Sequence, residues 1–264
     1  MPDFLSPEFY STVLMVAFAY LAVIVIGGFF VKAPYGRFAS DNYGLSLSPK
    51  WGWFLMELPA TLSFIFFYFQ GEHRFEAVPL FFLAIWCIHY ANRGFIFPLL
   101  MRVAKGQKGT FSIMIVLAGW FVTTLHGYLN AVFISHLSEH FTNAWFTDPR
   151  FIIGMSIYAF GYIMNLHSDN IIRNLRSKEE VANGDKVYRI PQGGLFNYVS
   201  CPSYLTELIS FLGFAIATWS VGALFVLGVS AANLIPRAFQ THQWYKKKFE
   251  DYPAKRKVIL PFIL

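Results

Sequence analysis

Glu57, Tyr90, Arg93 and Glu207 are ionisable or phenolic side chains set inside long apolar runs of a 264-residue chain. An ionisable group at the centre of a bilayer costs at least about 2.5 kcal/mol on insertion scales, so each of them needs a reason. Trp53 precedes Glu57 by one helical turn and shares its face, while His89, Tyr90 and Arg93 are spaced to crowd one side of a helix. Two readings of this group stand. In one, Glu57 and Arg93 form a structural ion pair. In the other, a carboxylic acid and a phenol, Glu57 and Tyr90, grip a carbonyl oxygen in an apolar pocket. His126, alone on an apolar face, reads as a satisfied core group. Glu207, just inside an apolar stretch, either pairs helices or belongs to a site.

Further along, Asn165, Asp169, Arg173 and Arg176 fall at roughly 0°, 40°, 80° and 20° around a helix, so one face offers an amide, a carboxylate and two guanidiniums. A basic helix end resting on lipid headgroups would share this pattern. Asp169 among the arginines suits instead a phosphate-bearing ligand that also presents hydroxyls or an adenine. In the following segment, Tyr188 to Ser200, the adjacent Gly193 and Gly194 allow close backbone approach, and flanking Tyr and Phe rings can stack on a base. There is no G-x-G-x-x-G after a strand and no G-K-[ST], which excludes a Rossmann site and a P-loop. The segment Arg237 to Pro253 is aromatic and basic, and on physics alone could form a helix on the membrane surface. Cys87 and Cys201 belong to no CxxC pair or Cys/His cluster, so neither a metal site nor a disulfide framework is expected.

The elements that must hold these residues follow from composition. Only 14% of residues are charged, against roughly 25% in an ordinary soluble domain, and 19% are aromatic. A soluble globule could not hide that much apolar surface. Seven runs approach the roughly 20 residues that span a bilayer: Ser11–Val31, Trp51–Phe69, Ala77–Met101, Phe111–Leu137, Phe151–Leu166, and two within Tyr204–Ile235, whose 32 residues suggest two short helices with a tight turn at Thr218–Gly222, one long tilted helix being the alternative. The first run follows acidic Asp3 and Glu8 and has no cleavage site, so it reads as a retained helix rather than a signal peptide.

Successive connections carry 3, 1, 3, 1, 5 and 0 Lys or Arg, and the tail carries 7. The first group is Lys32, Arg37 and Lys50; the third includes Lys108 and the fifth Lys186. That alternation satisfies the positive-inside rule with an odd number of spans. The expectation is an all-α integral membrane protein of seven transmembrane helices, N-terminus outside and C-terminus cytosolic, forming one domain over residues 1–264. The net charge of +6 falls in loops and tail, where topology accounts for it, so nucleic acid is not an expected partner.

Seven motifs together resemble the steroid 5α-reductase family. They are Trp53-x-x-x-Glu57-Leu-Pro59, His89-Tyr90-x-x-Arg93, Asn165-x-His167-Ser168-Asp169, Tyr188-Arg-Ile-Pro-Gln-Gly-Gly-Leu-Phe196, Ala217-Thr-Trp-Ser220, Arg237-Ala-Phe239 and Phe249-Glu-Asp-Tyr-Pro253. The likeness is dense over the C-terminal 110 residues and thinner from Trp51 to Arg93. The chain departs from mammalian members at Met56, at Cys201–Ser203 and at Gln240–His242. The resemblance implies a seven-helix membrane reductase that uses NADPH on the Δ4 bond of 3-oxo-Δ4-steroids such as testosterone or progesterone. It implies Glu57 and Tyr90 as the catalytic pair on the C3 carbonyl and Trp53 as a wall of the steroid pocket, within the first four helices. Asn165, Asp169, Arg176, Tyr188, Arg189, Ser203, Glu207, Arg237 and Tyr245 would surround the cofactor, within residues 165–264. A monomer in a bacterial cytoplasmic membrane or the endoplasmic reticulum is expected. Membrane reductases of other enone lipids (polyprenals, enoyl-CoA, sterols) share the architecture. Isoprenylcysteine carboxyl methyltransferase ranks lower, because its Arg-His-Pro signature is absent.

Overall fold

The computed structural model describes residues 3–30, 38, 44–106, 111–185 and 187–264. Val31, at the end of the first expected span, and the loop cations Lys32, Arg37, Lys108 and Lys186 lie outside them. The described residues are mostly helical. In chain order come α1 (Pro7–Phe30), β1 (Ser46–Leu47), α2 (Pro49–Tyr68) and α3 (Ala77–Tyr90), which continues through a π-helical turn (Ala91–Ile96) into α4 (Phe97–Leu100). Then follow β2 (Phe111–Ser112), α5 (Ile113–Val132) with a π-helical end to Leu137, α6 (Pro149–Asn174), the short α7 (Lys178–Asn183), α8 (Pro202–Thr218) and α9 (Val221–Lys248). β1 and β2 form one short antiparallel ladder that ties the starts of α2 and α5 together.

Local chemistry accounts for most helix starts. Ser48, Ser112, Asp148 and Ser220 each accept a backbone N–H from the first turn of the helix that follows, and Pro occupies the first position of α2 and α6. The break expected near Thr218–Gly222 is present. Trp219 adopts φ 51°, a left-handed conformation that a helix interior does not tolerate, and Ser220 caps the new helix.

Among the described residues, four segments are long and apolar enough to cross a membrane by length and composition: Pro7–Gly28, Ala77–Leu100, Ile113–Leu137 and Val221–Lys248. Many large apolar side chains face outward, among them Met15, Val23, Phe66, Leu99 and Met114, each more than 60% exposed. A surface of that kind is at home in hydrocarbon.

Rod directions follow from close contacts. Met56 meets Gly119, and Ala60 to Phe64 meet Gly127, so α2 and α5 run parallel. Gly154 meets Ala217 and Asn165 meets Ser203, so α6 and α8 run antiparallel. Tyr10 meets Gly222 and Leu21 meets Gly228, so α1 and α9 run parallel. The α6–α8 crossing depends on missing side chains. A Cβ on Gly213 would stand 2.3 Å from the Tyr158 nitrogen and 2.6 Å from the Gly154 oxygen, a small-residue contact of the kind membrane helices use. The main core lies between α2, α3, α6 and α8, where Phe64 stacks on Trp86 at 4.5 Å and the Trp86 indole donates to the Ala60 carbonyl at 3.0 Å.

The tail departs from a surface helix. Residues 237–248 continue α9, and Arg237, Thr241, His242 and Tyr245 are buried. Beyond α9, the chain returns under the loop that precedes α8. The Ser200 hydroxyl lies 2.6 Å from both His242 Nδ1 and the Tyr252 hydroxyl, and Arg256 donates to the Pro191 carbonyl and the Gln192 side chain, each at 3.1 Å.

Candidate functional site

A cavity of about 430 Å³ opens between α1, α2, the α3 π-turn, α5, α8 and α9. Its walls are largely apolar, and Trp53, Glu57, Tyr90, Arg93, His126 and Glu207 face it. A second cavity of about 270 Å³ adjoins it, with Asp169, Ser203, Glu207, Arg237 and Tyr245 in its walls. Trp53, Arg93, Glu207, Leu234 and Arg237 line both, so these side chains form the partition.

An ion pair holds the partition. Arg93 Nε lies 3.2 Å from Glu207 Oε1, with the two side chains only 16% and 8% exposed. Asn165 Nδ2 donates to Glu207 Oε2 at 3.2 Å and to the Ser203 carbonyl at 2.8 Å, so both carboxylate oxygens are engaged. The Arg93 guanidinium lies 4.4 Å from the Trp53 ring centre, and the Trp53 indole returns a hydrogen bond to the Arg93 carbonyl at 3.1 Å. Arg93 thus pairs with Glu207 rather than with Glu57. The Glu57 carboxylate makes no hydrogen bond or ion pair among the described residues and faces the larger cavity.

The π-turn explains a second difference from helical spacing. It begins directly after Tyr90 and carries Arg93, and such turns are frequent at functional sites. Tyr90 and Arg93 both face the larger cavity, whereas His89 turns away, against Phe211, Tyr158 and Tyr162. The three do not share one face of the site.

Of the residues expected around a cofactor, Asp169, Ser203, Glu207, Arg237 and Tyr245 converge on the smaller cavity, and Asn165 lies behind it through Glu207. Arg237 Nε donates to the Tyr204 hydroxyl at 3.1 Å, and Tyr245 stacks on Tyr252 at 5.3 Å. Arg176, Tyr188 and Arg189 stand outside its lining. Arg176 Nε donates to the Val187 carbonyl at 2.9 Å, with its guanidinium 5.3 Å from the Tyr188 ring, and that ring packs edge-on against Trp244. Arg189 turns to Glu180 on α7, with Nη1 2.9 Å from Oε2. Hydrogen bonds from Arg189, and from the Ser177 N–H, hold the Glu180 carboxyl at about 2 rather than 4.5. Sequence reasoning did not assign Val229 and Asn233 to the site, although their i, i+4 spacing marks one face of α9.

The arrangement offers an apolar chamber with a carboxyl and a phenol at its polar end. Beside it lies a smaller chamber bearing two guanidiniums, two carboxylates and aromatic rings. The first suits a lipophilic molecule carrying a hydrogen-bond acceptor, the second a more polar one. Fold and surface together define a helical membrane protein with two adjoining cavities inside the bundle.

The family model for 3-oxo-5-alpha-steroid 4-dehydrogenase matches residues 109–264. A rat protein, 3-oxo-5-alpha-steroid 4-dehydrogenase 1, is 38% identical over 92% of this chain and 90% of its own length. Its human namesake is 36% identical over 95% of both. Steroid 5-alpha-reductase DET2 of Arabidopsis thaliana is 37% identical over 89% of the chain and 88% of its own length. The chain belongs to the 3-oxo-5-alpha-steroid 4-dehydrogenase family, a family of oxidoreductases.

Proposed function

We propose that the chain reduces the Δ4 double bond of 3-oxo-Δ4-steroids to 5α-dihydrosteroids within a bilayer, with NADPH as reductant. One observation carries the reading. Glu57 and Tyr90 open on the apolar cavity, and a partition that includes the Arg93–Glu207 pair separates that cavity from the polar one. The relatives' names, steroid dehydrogenase and steroid 5α-reductase, fit the same substrate class.

The smaller cavity fits a nicotinamide nucleotide by the chemistry of its walls. Asp169 can accept from ribose hydroxyls, Arg237 can pair with phosphate, and Ser203, Glu207 and the Tyr245 ring complete the enclosure. Asn165 would hold Glu207 toward the ligand, and Arg176, Tyr188 and Arg189 would meet its outer part, where guanidiniums favour a 2′-phosphate. When bound, NADPH supplies the hydride that C5 of the steroid receives.

Glu57 and Tyr90 hold the C3 carbonyl oxygen, Tyr90 as a hydroxyl donor and Glu57 as a protonated or proton-sharing partner. As C5 gains hydride, charge builds on that oxygen as an enolate, and preorganised donors in a dry pocket stabilise it more than they stabilise the ketone. Trp53 closes the pocket and, with the apolar walls, excludes water, which strengthens those hydrogen bonds. C4 takes up a proton to finish the reaction.

The same reading takes all seven long rods as spans, N-terminus outside and C-terminus cytosolic, in a monomer. The alternating rod directions and the loop charges support it.

The test is a product assay in membranes with NADPH and testosterone or progesterone, with Glu57→Gln alongside. The 5α-dihydro product from wild type and little from the variant is expected. Product from both removes Glu57 from its role. No product with NADPH still bound shifts the substrate to another enone lipid, and absence of NADPH binding ends the reductase reading.

A further inference from the structure

Residues 246–264 hold six cations against two carboxylates and end in an apolar run from Val258 to Leu264. None of them takes part in the chemistry above. Lys246, Lys247, Lys248 and Lys255 are exposed. Further on, the Ile259 and Leu260 N–H groups both donate to the Leu264 carbonyl, at 2.8 and 2.7 Å, which closes a tight hook. Phe262 and Ile263 form its tip and are 79% and 78% exposed. Phe262 adopts φ 67°, a left-handed conformation that costs a bulky side chain free energy. Burial within the chain does not offset that strain. The ring meets Tyr198 at 5.5 Å, and Tyr198 is itself about half exposed.

The hook is joined to the rods and to the smaller cavity at once. Ile259 is buried with Leu205 of α8 and Ala238 of α9, and Leu208 and Ile209 of α8 pack beside them. It therefore rests against the first two turns of α8. Lys257 pairs in parallel with Val199: its N–H donates to the Tyr198 carbonyl at 2.8 Å, and its carbonyl accepts from the Ser200 N–H at 2.9 Å. Phe196, Ser200 and Cys201, in that same strip of chain, line the smaller cavity.

We propose that the Leu260–Leu264 hook is a lipid anchor: its tip enters the headgroup–acyl boundary of the leaflet on the cation-rich side, anionic headgroups meet the exposed lysines, and the anchored hook steadies the wall of the smaller cavity. Two grounds identify bilayer lipid as the occupant. An apolar tip accompanied by clustered lysines is the composition that binds anionic interfaces. The hook also continues the outward apolar surface of the rods on which it rests. The anchor rests on α8 as a span, and its effect on cofactor binding rests on the reductase reading above.

The experiment uses the full chain with a photoreactive benzophenone amino acid in place of Phe262, reconstituted in vesicles of phosphatidylcholine alone or with added phosphatidylglycerol. After irradiation, mass spectrometry identifies what the residue has bonded to. Lipid adducts are expected, with a severalfold higher yield when phosphatidylglycerol is present. Adducts to a second copy of the chain, no adduct, or equal yields in the two vesicles overturn the inference and leave the reductase reading standing. In the phosphatidylglycerol vesicles, Phe262→Ser combined with Ile263→Ser should raise the Kd for NADPH about fivefold, a modest coupling between sites. It should leave kcat at saturating NADPH within about twofold. Both side chains are exposed, so loss of the fold does not account for such a change. An unchanged Kd overturns the coupling. No NADPH binding by wild type overturns the reductase reading and the coupling with it, while the adducts still decide the anchor.

Discussion

Arg93 and Glu207 meet at 3.2 Å where the two cavities join, one side chain from the π-turn after α3 and the other from α8. The pair divides the apolar chamber from the polar one and is braced by Asn165 and by the face of Trp53. Breaking one partner of a buried pair leaves the other charge uncompensated. Glu207→Ala should therefore destabilise the fold by about 3 kcal/mol. Arg93→Met with Glu207→Leu should recover much of that loss. Thermal melts of detergent-solubilised protein check the stability, and NADPH binding by the double variant, expected to stay weak, checks the site.

Tyr90→Phe isolates the phenol. The ring keeps its contacts with Trp86 at 4.8 Å and His89 at 5.4 Å, so the fold should persist. Loss of one donor on a developing oxyanion costs about 100-fold in kcat. Steady-state rates with testosterone should show that fall with KM little changed. A wild-type rate would remove Tyr90 from its role.

Stability at the edge of the polar cavity should depend on pH through Glu180. Its carboxyl titrates at about 2 in the folded chain, below its ordinary 4.5, because Arg189 and the α7 cap hold it ionised. A depressed folded value means the contribution is complete above the ordinary range and is lost as pH falls from about 4.5 toward 2. Limited proteolysis of the segment between α7 and Pro191 should accelerate across that window in wild type. In Glu180→Gln it should be fast already at pH 7 and change less on acidification.

The α6–α8 crossing should tolerate no added methyl. Gly213→Ala places a Cβ 2.3 Å from the Tyr158 nitrogen, backbone that cannot rotate aside, and overpacking of this kind costs about 2 kcal/mol. Gly27 of α1 has nothing within 4 Å of its added Cβ, so Gly27→Ala should leave stability unchanged or slightly raised. Melting temperatures of the two variants, compared side by side, test the contrast.

Much of this arrangement was legible in the sequence because it is written locally. Apolar runs mark α2, α3–α4, α5 and the start of α6 to within a few residues, and the Thr218–Gly222 break coincides with Trp219 and its following cap. A carboxylate and a phenol inside apolar stretches identified themselves by their desolvation cost, and both face the larger cavity. The π-turn was not legible, since one extra residue per turn leaves no mark in a 3.6 period, yet it turns Arg93 toward Glu207 and leaves His89 to the aromatic core. Which carboxylate Arg93 would choose depended on the rotation of α8 against α3. The fate of Arg189 depended on α7 standing within its reach. His126 shows the same limit: its type and apolar surroundings were plain, but only packing of α5 against α9 decided that its ring would border a cavity. Residue types and their costs are properties of the chain alone, whereas partners are chosen by helices that meet from distant parts of it.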